Sequence, residues 1–275
     1  MIPAPFEYRR VDSVDEAIQA LSDGTDAKLL AGGHSLLPLM KLRLARPSLL
    51  VDISRLQDLK YVKRDGDRVA IGALTRHHDV ANSEVLHELC PIVSYAAGEI
   101  GDPQVRHVGT IGGSVAHADP ASDMPSVLLA LDAEMVVRGP GGVRSVGAGD
   151  FFKGLFEPDL ATDEVLTEIR VPTTTGRGWS YLKFHRRAQD WALVGVAALA
   201  QNGAGPSVAL TNMADRPVRA TGVEEELAGG ADPAAASQRA ADGTSPPSDA
   251  FASAEYRREL VKVLVRRAIE EAQAR

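Results

Sequence analysis

Two short stretches of this 275-residue sequence carry residue types and spacings suited to chemistry: Ala31-Gly32-Gly33-His34-Ser35-Leu36-Leu37, and Thr110-Ile111-Gly112-Gly113-Ser114 running on to Asp123. Each puts a glycine pair, followed by a small hydroxyl residue, at the end of an extended apolar run. Without a Cβ the backbone can turn tightly and aim successive N–H groups at one anion. Ser35, Thr110 and Ser114 add hydroxyl donors to such a site. Two loops about eighty residues apart could cradle the two phosphates of one dinucleotide; each pair could equally serve an ordinary turn. Neither stretch has the G-x-G-x-x-G spacing or the Lys-Ser/Thr of a P-loop, so the usual nucleotide folds lose support.

The remaining candidates carry less. His77-His78, His107 and the His117-x-Asp119-x3-Asp123 spacing hold metal-ligating types but no compact ligand motif, so hydrogen-bonded or surface histidines and no metal are expected. Cys90 sits in an apolar setting beside Pro91 and reads as a small core residue. A single cysteine excludes an intrachain disulfide framework and any iron–sulfur cluster housed wholly in this chain. No catalytic residue is assigned. Arg257-Arg258, Lys262 and Arg266-Arg267 give the last helix a basic face, either solvated or a docking surface. Thirty basic residues against thirty-seven acidic ones leave a charge of -7, which argues against nucleic acid or an anionic membrane as partner. Met1 to Glu7 lacks the charged and apolar regions of a signal peptide, and Leu29 to Met40 is too short to cross a bilayer. A soluble, cytoplasmic, two-domain chain is expected.

The elements that must position these residues follow from local pattern. Ser13-Val14-Asp15-Glu16 is a capping box for a helix with Ala17, Ile18 and Leu21 on its apolar face, stopped at Gly24. The strand Lys28–Ala31 runs straight into the first glycine pair, and Leu49–Ile53 is a second buried strand. Asp65-Gly66 marks a hairpin, Thr75 is placed as the cap of a helix through Asn82, and Pro91 to Ile100 is an alanine-rich helix. Gly109 to Gly113 reads as extended, Asp123 to Leu131 as a helix with Pro125 in its first turn. Ala133–Arg138 and Val143–Val146 form a hairpin, and Val165–Val171 a further strand. After a linker at 172–178, Trp179–Phe184, Ala192–Ala200 and Ser207–Asn212 suggest a three-stranded antiparallel sheet. Residues 228–250 read as a surface loop with broken helix, and Ser253 to the end as a helix stacking Leu260, Leu264 and Ala268 beside Val261, Val265 and Ile269.

At the two glycine segments the sequence resembles a known family. The stretch 31–47 is similar to the first flavin-binding segment of the medium subunits of molybdenum hydroxylases, nearest the aerobic carbon monoxide dehydrogenase type, and 110–125 to the second. Val51–Ser54, Ile71–Thr75, Ile100-Gly101, Lys183-Phe184 and Asp190-Trp191-Ala192 support the match. The resemblance implies an α+β fold: a two-lobed FAD-binding domain of the vanillyl-alcohol-oxidase (PCMH) type at 1–175, with lobes of about 1–55 and 56–175, then a smaller domain at 176–275. It implies that Ala31, Gly32, Gly33, His34 and Ser35 give backbone donors to the FAD pyrophosphate, with Leu36 and Leu37 packed behind. Thr110, Gly113 and Ser114 would hold its other side, and Asp123 would accept from FAD hydroxyl or amide groups. Ile100, Gly101 and Lys183 would lie by the flavin ring, with Trp191 stacked on or screening it. It further implies dissociable FAD, with the molybdenum cofactor and [2Fe-2S] clusters confined to a large and a small partner subunit in a dimer of heterotrimers. Electrons would pass from the clusters through FAD to an external acceptor. A self-sufficient flavin oxidase of the same fold and a flavin-free scaffold are the alternatives.

Overall fold

The computed structural model describes residues 2–200 and 205–275. The first lobe is a three-stranded parallel sheet in the order Glu7–Arg10, Leu49–Asp52, Ala27–Leu30. Ser13 caps the helix Val14–Asp23, its Oγ accepting from the Glu16 N–H at 3.1 Å. The Glu16 carboxylate accepts from the Asp12 N–H at 3.0 Å, one residue earlier than a reciprocal capping box requires. Strand Glu7–Arg10 is exposed at every position, so no apolar pattern announces it. Parallel strands need a crossover. Between Leu30 and Leu49 that crossover holds the first glycine loop and the short helix Leu36–Lys41.

The second lobe is a five-stranded antiparallel sheet in the order Val62–Asp65, Arg68–Gly72, Val165–Pro172, Glu134–Gly139, Gly142–Gly147. Both expected hairpins are present, with Gly66 at φ +63 in the first turn. Helices Glu84–Leu89, Pro91–Gly98, Ile111–His117 and Asp123–Ala130 supply most of the core that packs on this sheet. Two local expectations are corrected. Thr75 caps no helix: its hydroxyl accepts from the Tyr61 N–H and donates to the Tyr61 carbonyl, pinning a loop to the sheet, and the helix His77–Ala81 starts beyond it. Thr110 to Gly113 is not extended, because Thr110 Oγ1 accepts from the Gly113 N–H at 3.1 Å and starts the helix Ile111–His117 there. A side-chain oxygen that satisfies a free N–H in the first turn outweighs the weak helix propensity of two glycines.

The linker at 172–178 is pinned, with Thr173 and Thr174 N–H groups donating to the Asp67 and Leu89 carbonyls. Beyond it, Trp179–Phe184, Val194–Leu199 and Ser207–Thr211 pair antiparallel, and a two-residue strand, Val218–Arg219, extends the sheet to four. Strand Val194–Leu199 is buried throughout because both faces of this sheet are covered. Ala197 and Leu199, with Tyr181 and Ala209, join the core of the preceding domain. Val194, Val196 and Ala198 pack on Val261, Leu264, Val265, Ala268 and Ile269 of the helix Ala254–Ala274. On that helix Arg257 is buried, Lys262 pairs with Glu259 and Arg266 with Glu270, while Arg258 and Arg267 are exposed. Within 228–250, Ala236 and Ala240 reach the core, so this segment is more than surface loop. The expected divisions 1–175 and 176–275 include Met1 and 201–204, which lie outside the described residues.

Candidate flavin-binding site

Leu30 ends a parallel strand, and Ala31 to Ser35 leave its carboxyl end half-buried, with His34 exposed. Gly33 holds φ +74, a conformation that L side chains rarely adopt. Its carbonyl accepts from the Leu37 N–H and begins the helix Leu36–Lys41. Ser35 stands at the cap position yet makes no capping bond. Among the described residues, the N–H groups of Gly32, Gly33, His34 and Ser35 donate to no protein acceptor. Four successive unspent donors at a helix start are the kind of group that can hold an anion.

The second segment is brought against the first by glycine itself. A Cβ on Gly32 would lie 2.4 Å from the Val108 carbonyl oxygen and 2.9 Å from Gly109 Cα. Behind Gly109 lies His77, which donates its N–H to the Gly109 carbonyl and is 4 % exposed. Burial pushes the His77 imidazole down to about 4, with the charges of His34 and Arg106 acting in the same direction. The N–H groups of Ile111, Gly112 and Gly113 are spent on the Thr75 carbonyl, the Ala73 carbonyl and Thr110 Oγ1. The Gly113 N–H is therefore spent within the protein, whereas Thr110 Oγ1, which accepts it, keeps its own O–H to donate. Ser114 remains, half-buried, one residue further along the helix. The other histidines are dispersed: His78 stacks on His107 at 4.0 Å between ring centroids, and His117 packs against Phe156.

Asp123 and Lys183 meet in a buried knot. Asp123 is 4 % exposed, its Oδ1 accepting from the Tyr181 hydroxyl at 2.5 Å and its Oδ2 from Lys183 Nζ at 3.0 Å. Lys183 Nζ also donates to the Glu99 carbonyl at 2.9 Å. Burial pushes the Asp123 carboxyl up, opposed by the Lys183 charge and by the hydrogen bonds from Tyr181 and Lys183. Both carboxylate oxygens are engaged within the protein, so Asp123 is an internal anchor rather than an open acceptor. The knot holds the chain next to Ile100 and Gly101. Gly101 has φ +51, and Arg106 Nη1 donates to the Ile100 carbonyl at 3.0 Å. Trp191 is 57 % exposed, on the loop after strand Trp179–Phe184. Sequence reasoning missed Tyr181, although alternation along that strand puts it on the same face as Lys183, and a fully buried tyrosine hydroxyl needs a partner. Val108 left no signal, since its role is to offer a backbone surface.

Comparison with known proteins agrees with this geometry. The family described as "FAD binding domain in molybdopterin dehydrogenase" matches residues 4–174, and "CO dehydrogenase flavoprotein C-terminal domain" matches 179–272. The carbon monoxide dehydrogenase medium chain of Hydrogenophaga pseudoflava is 42% identical over 100% of this chain and 99% of its own length. The glyceraldehyde dehydrogenase medium chain of Sulfolobus acidocaldarius is also 42% identical, over 98% of this chain and 99% of its own length. A solved structure of the Hydrogenophaga pseudoflava carbon monoxide dehydrogenase superposes with TM-score 0.96 at 42% identity, covering 100% of this chain and 99% of its own. Quinoline 2-oxidoreductase from Pseudomonas putida 86 gives TM-score 0.93 at 34% identity, covering 100% and 99%. The chain belongs to the FAD-binding medium subunits of the molybdenum hydroxylases, an oxidoreductase family, and is of the carbon monoxide dehydrogenase type.

Proposed function

We propose that this chain seats FAD, without a covalent bond, as the electron relay of a three-subunit molybdenum hydroxylase. The observation that carries the reading is the run of unspent N–H donors from Gly32 to Ser35, closed on one side by the Val108–Gly109 backbone. These residues fit a pyrophosphate, which needs converging donors and no intruding Cβ. Ala31 leads into the cradle, and Leu36 and Leu37 pack behind it. The hydroxyls of Thr110 and Ser114 are the donors that the second segment has left, while Gly113 helps set their position. The Asp123–Lys183 pair fixes the Glu99 carbonyl and so holds Ile100 and Gly101 at the ring. Trp191 screens the ring from solvent. FAD, when bound, supplies a group that takes electrons singly and passes them on singly or in pairs.

Electrons would come from [2Fe-2S] clusters in a small partner subunit, since a lone buried cysteine, Cys90, can ligate none here. The molybdenum centre would lie in a large subunit, the whole forming a cytoplasmic dimer of heterotrimers that reduces an external acceptor. Among the described residues no helix is long and apolar enough to cross a membrane. Equal identity to chains named for two different substrates fits a substrate pocket housed in another subunit. The division into 1–175 and 176–275 is supported by the ranges of the two family matches.

The test is the full chain purified alone. It should be yellow, release its FAD on acid precipitation, and accept electrons from an artificial donor without oxidising carbon monoxide, an aldehyde or a heteroaromatic. Gly33→Asp should lower flavin per chain at least tenfold in a folded protein, because φ +74 strains any side chain there and a Cβ would press on Leu37 and Leu30, displacing the donors of the loop. Wild-type flavin content in that variant removes the loop from the site. Reduction of its own FAD by any of the three substrates makes the chain a self-sufficient oxidase. A colourless chain that cannot be reconstituted is a scaffold.

A further inference from the structure

The residues that seat the pyrophosphate offer it only neutral donors: the N–H groups from Gly32 to Ser35 and the hydroxyls of Thr110 and Ser114. Each phosphate of a pyrophosphate carries a negative charge, and a half-buried site that holds such an anion gains most from a fixed cation nearby. The segments that frame the seat, 31–37, 75–77 and 99–114, contain two arginines, Arg76 and Arg106. Lys183 is committed to Asp123.

Arg106 ends the short helix Pro103–Arg106, which lies between the Ile100-Gly101 turn and the Val108–Gly109 wall of the cradle. Its Nη1 donates to the Ile100 carbonyl at 3.0 Å and to the Gly101 carbonyl at 3.4 Å, so two neutral acceptors hold the guanidinium in place. Its other guanidinium N–H groups are unspent and, on a half-buried side chain, are not closed off. Among the described residues no carboxylate pairs with it. Asp102, one turn earlier, gives its Oδ1 to the Val105 N–H, and Glu99 lies towards the knot, where its charge reaches Asp123 and Tyr181. The charge of Arg106 reaches His77, which packs on Gly109, and acts there with His34 against no carboxylate. The field at the cradle wall is therefore cationic. Arg76 differs. It stands opposite Thr110 in a single antiparallel bridge, yet its side chain is exposed and unpartnered. Solvent screens its charge, and binding would first have to order it.

We infer that Arg106 is the countercharge of the FAD pyrophosphate, acting from a guanidinium already fixed on the Ile100 and Gly101 carbonyls. The inference rests on the flavin reading and adds to it the cation that the glycine loops lack.

Fluorescence titration of the FAD-stripped full-length chain with FAD tests it, in the wild type and in Arg106→Gln, Arg106→Lys and Arg76→Gln. Arg106→Gln should weaken FAD at least tenfold at roughly 0.01 M salt. The gap should narrow at roughly 1 M, as the Debye length falls from about 30 Å to about 3 Å. Arg106→Lys keeps the charge and gives up the planar fork, so it should stay within about threefold of wild type, as should Arg76→Gln. A clamp that acts through the two carbonyls alone behaves otherwise: Lys fails as badly as Gln and salt leaves the gap unchanged, which overturns the inference. So does wild-type affinity in Arg106→Gln, or a tenfold loss in Arg76→Gln alone. If Arg106→Gln does not fold, Arg106→Lys and the wild-type salt series decide, and an FAD affinity that salt leaves unchanged overturns it. A wild-type chain that takes up no FAD at all fails the flavin reading itself, and the inference with it.

Discussion

Gly32 and His77 show how much of the site is decided by what single residues pack against, with no side chain placed on the cofactor. The one allows two backbone segments to meet, and the other fills the space behind them. His77 carries a measurable consequence. Its imidazole is neutral in the fold down to about pH 4, whereas in the unfolded chain it takes up a proton near pH 6.5. Above pH 6.5 both states are neutral and nothing is lost. As pH falls from 6.5 towards 4, the unfolded state binds a proton that the folded state refuses, so stability drops, by roughly 3 kcal/mol in all. His117, also lowered by burial, acts in the same direction. Denaturant midpoints measured from pH 7 to pH 4 should therefore fall less steeply in His77→Gln than in the wild type. Parallel pH curves would mean that His77 is not buried as described.

Among the elements, the helix Ile111–His117 is the one whose start places the second segment. Thr110 makes that start by capping Gly113, and Ala118 at φ +51 ends the helix seven residues later. Thr110→Val keeps the shape and removes the acceptor, so it should cost about 1 kcal/mol in a urea unfolding curve. Gly113 would then have a free N–H beside Ser114. Flavin content that stays at the wild-type level would show that Thr110 positions the segment without contacting phosphate; a drop of tenfold or more would mean that its hydroxyl also serves the ligand.

The molecule as a whole is joined by the sheet of the C-terminal domain, one face of which completes the core of the domain before it, and by the Asp123–Lys183–Tyr181 knot that crosses the same seam. Lys183 has a side chain only 2 % exposed. Lys183→Met leaves Asp123 buried without its countercharge, and breaking a buried pair from one side costs about 3–5 kcal/mol. Adding Asp123→Asn removes that charge, so the double variant should be more stable than Lys183→Met alone. Calorimetric melting of the three proteins checks both statements. A Lys183→Met loss under about 1 kcal/mol, the scale of an exposed pair, would show that the pair is not sequestered.

The sequence by itself determined the elements whose signals are local. The capping serine at 13, the Asp65-Gly66 turn, the three strands after residue 178 and the glycine pairs are each written within a few neighbouring residues. The two segments of the site were legible for the same reason, since glycine in such a context restricts what the backbone can do. Tertiary structure decided what depends on partners far along the chain. Thr75 serves Tyr61 instead of capping a helix, because a half-buried loop N–H fourteen residues away needed an acceptor. Arg257, set among basic neighbours in the sequence, turns inward because the Leu193 carbonyl and Asp249 await it there. Strand Glu7–Arg10 pairs at the sheet edge through its backbone and through the Tyr8 hydroxyl, which donates to Asp52 of the neighbouring strand. Asp123 closes on Tyr181 and Lys183 because burying a carboxylate is costly unless donors meet it, and those donors arrive only when the second domain docks.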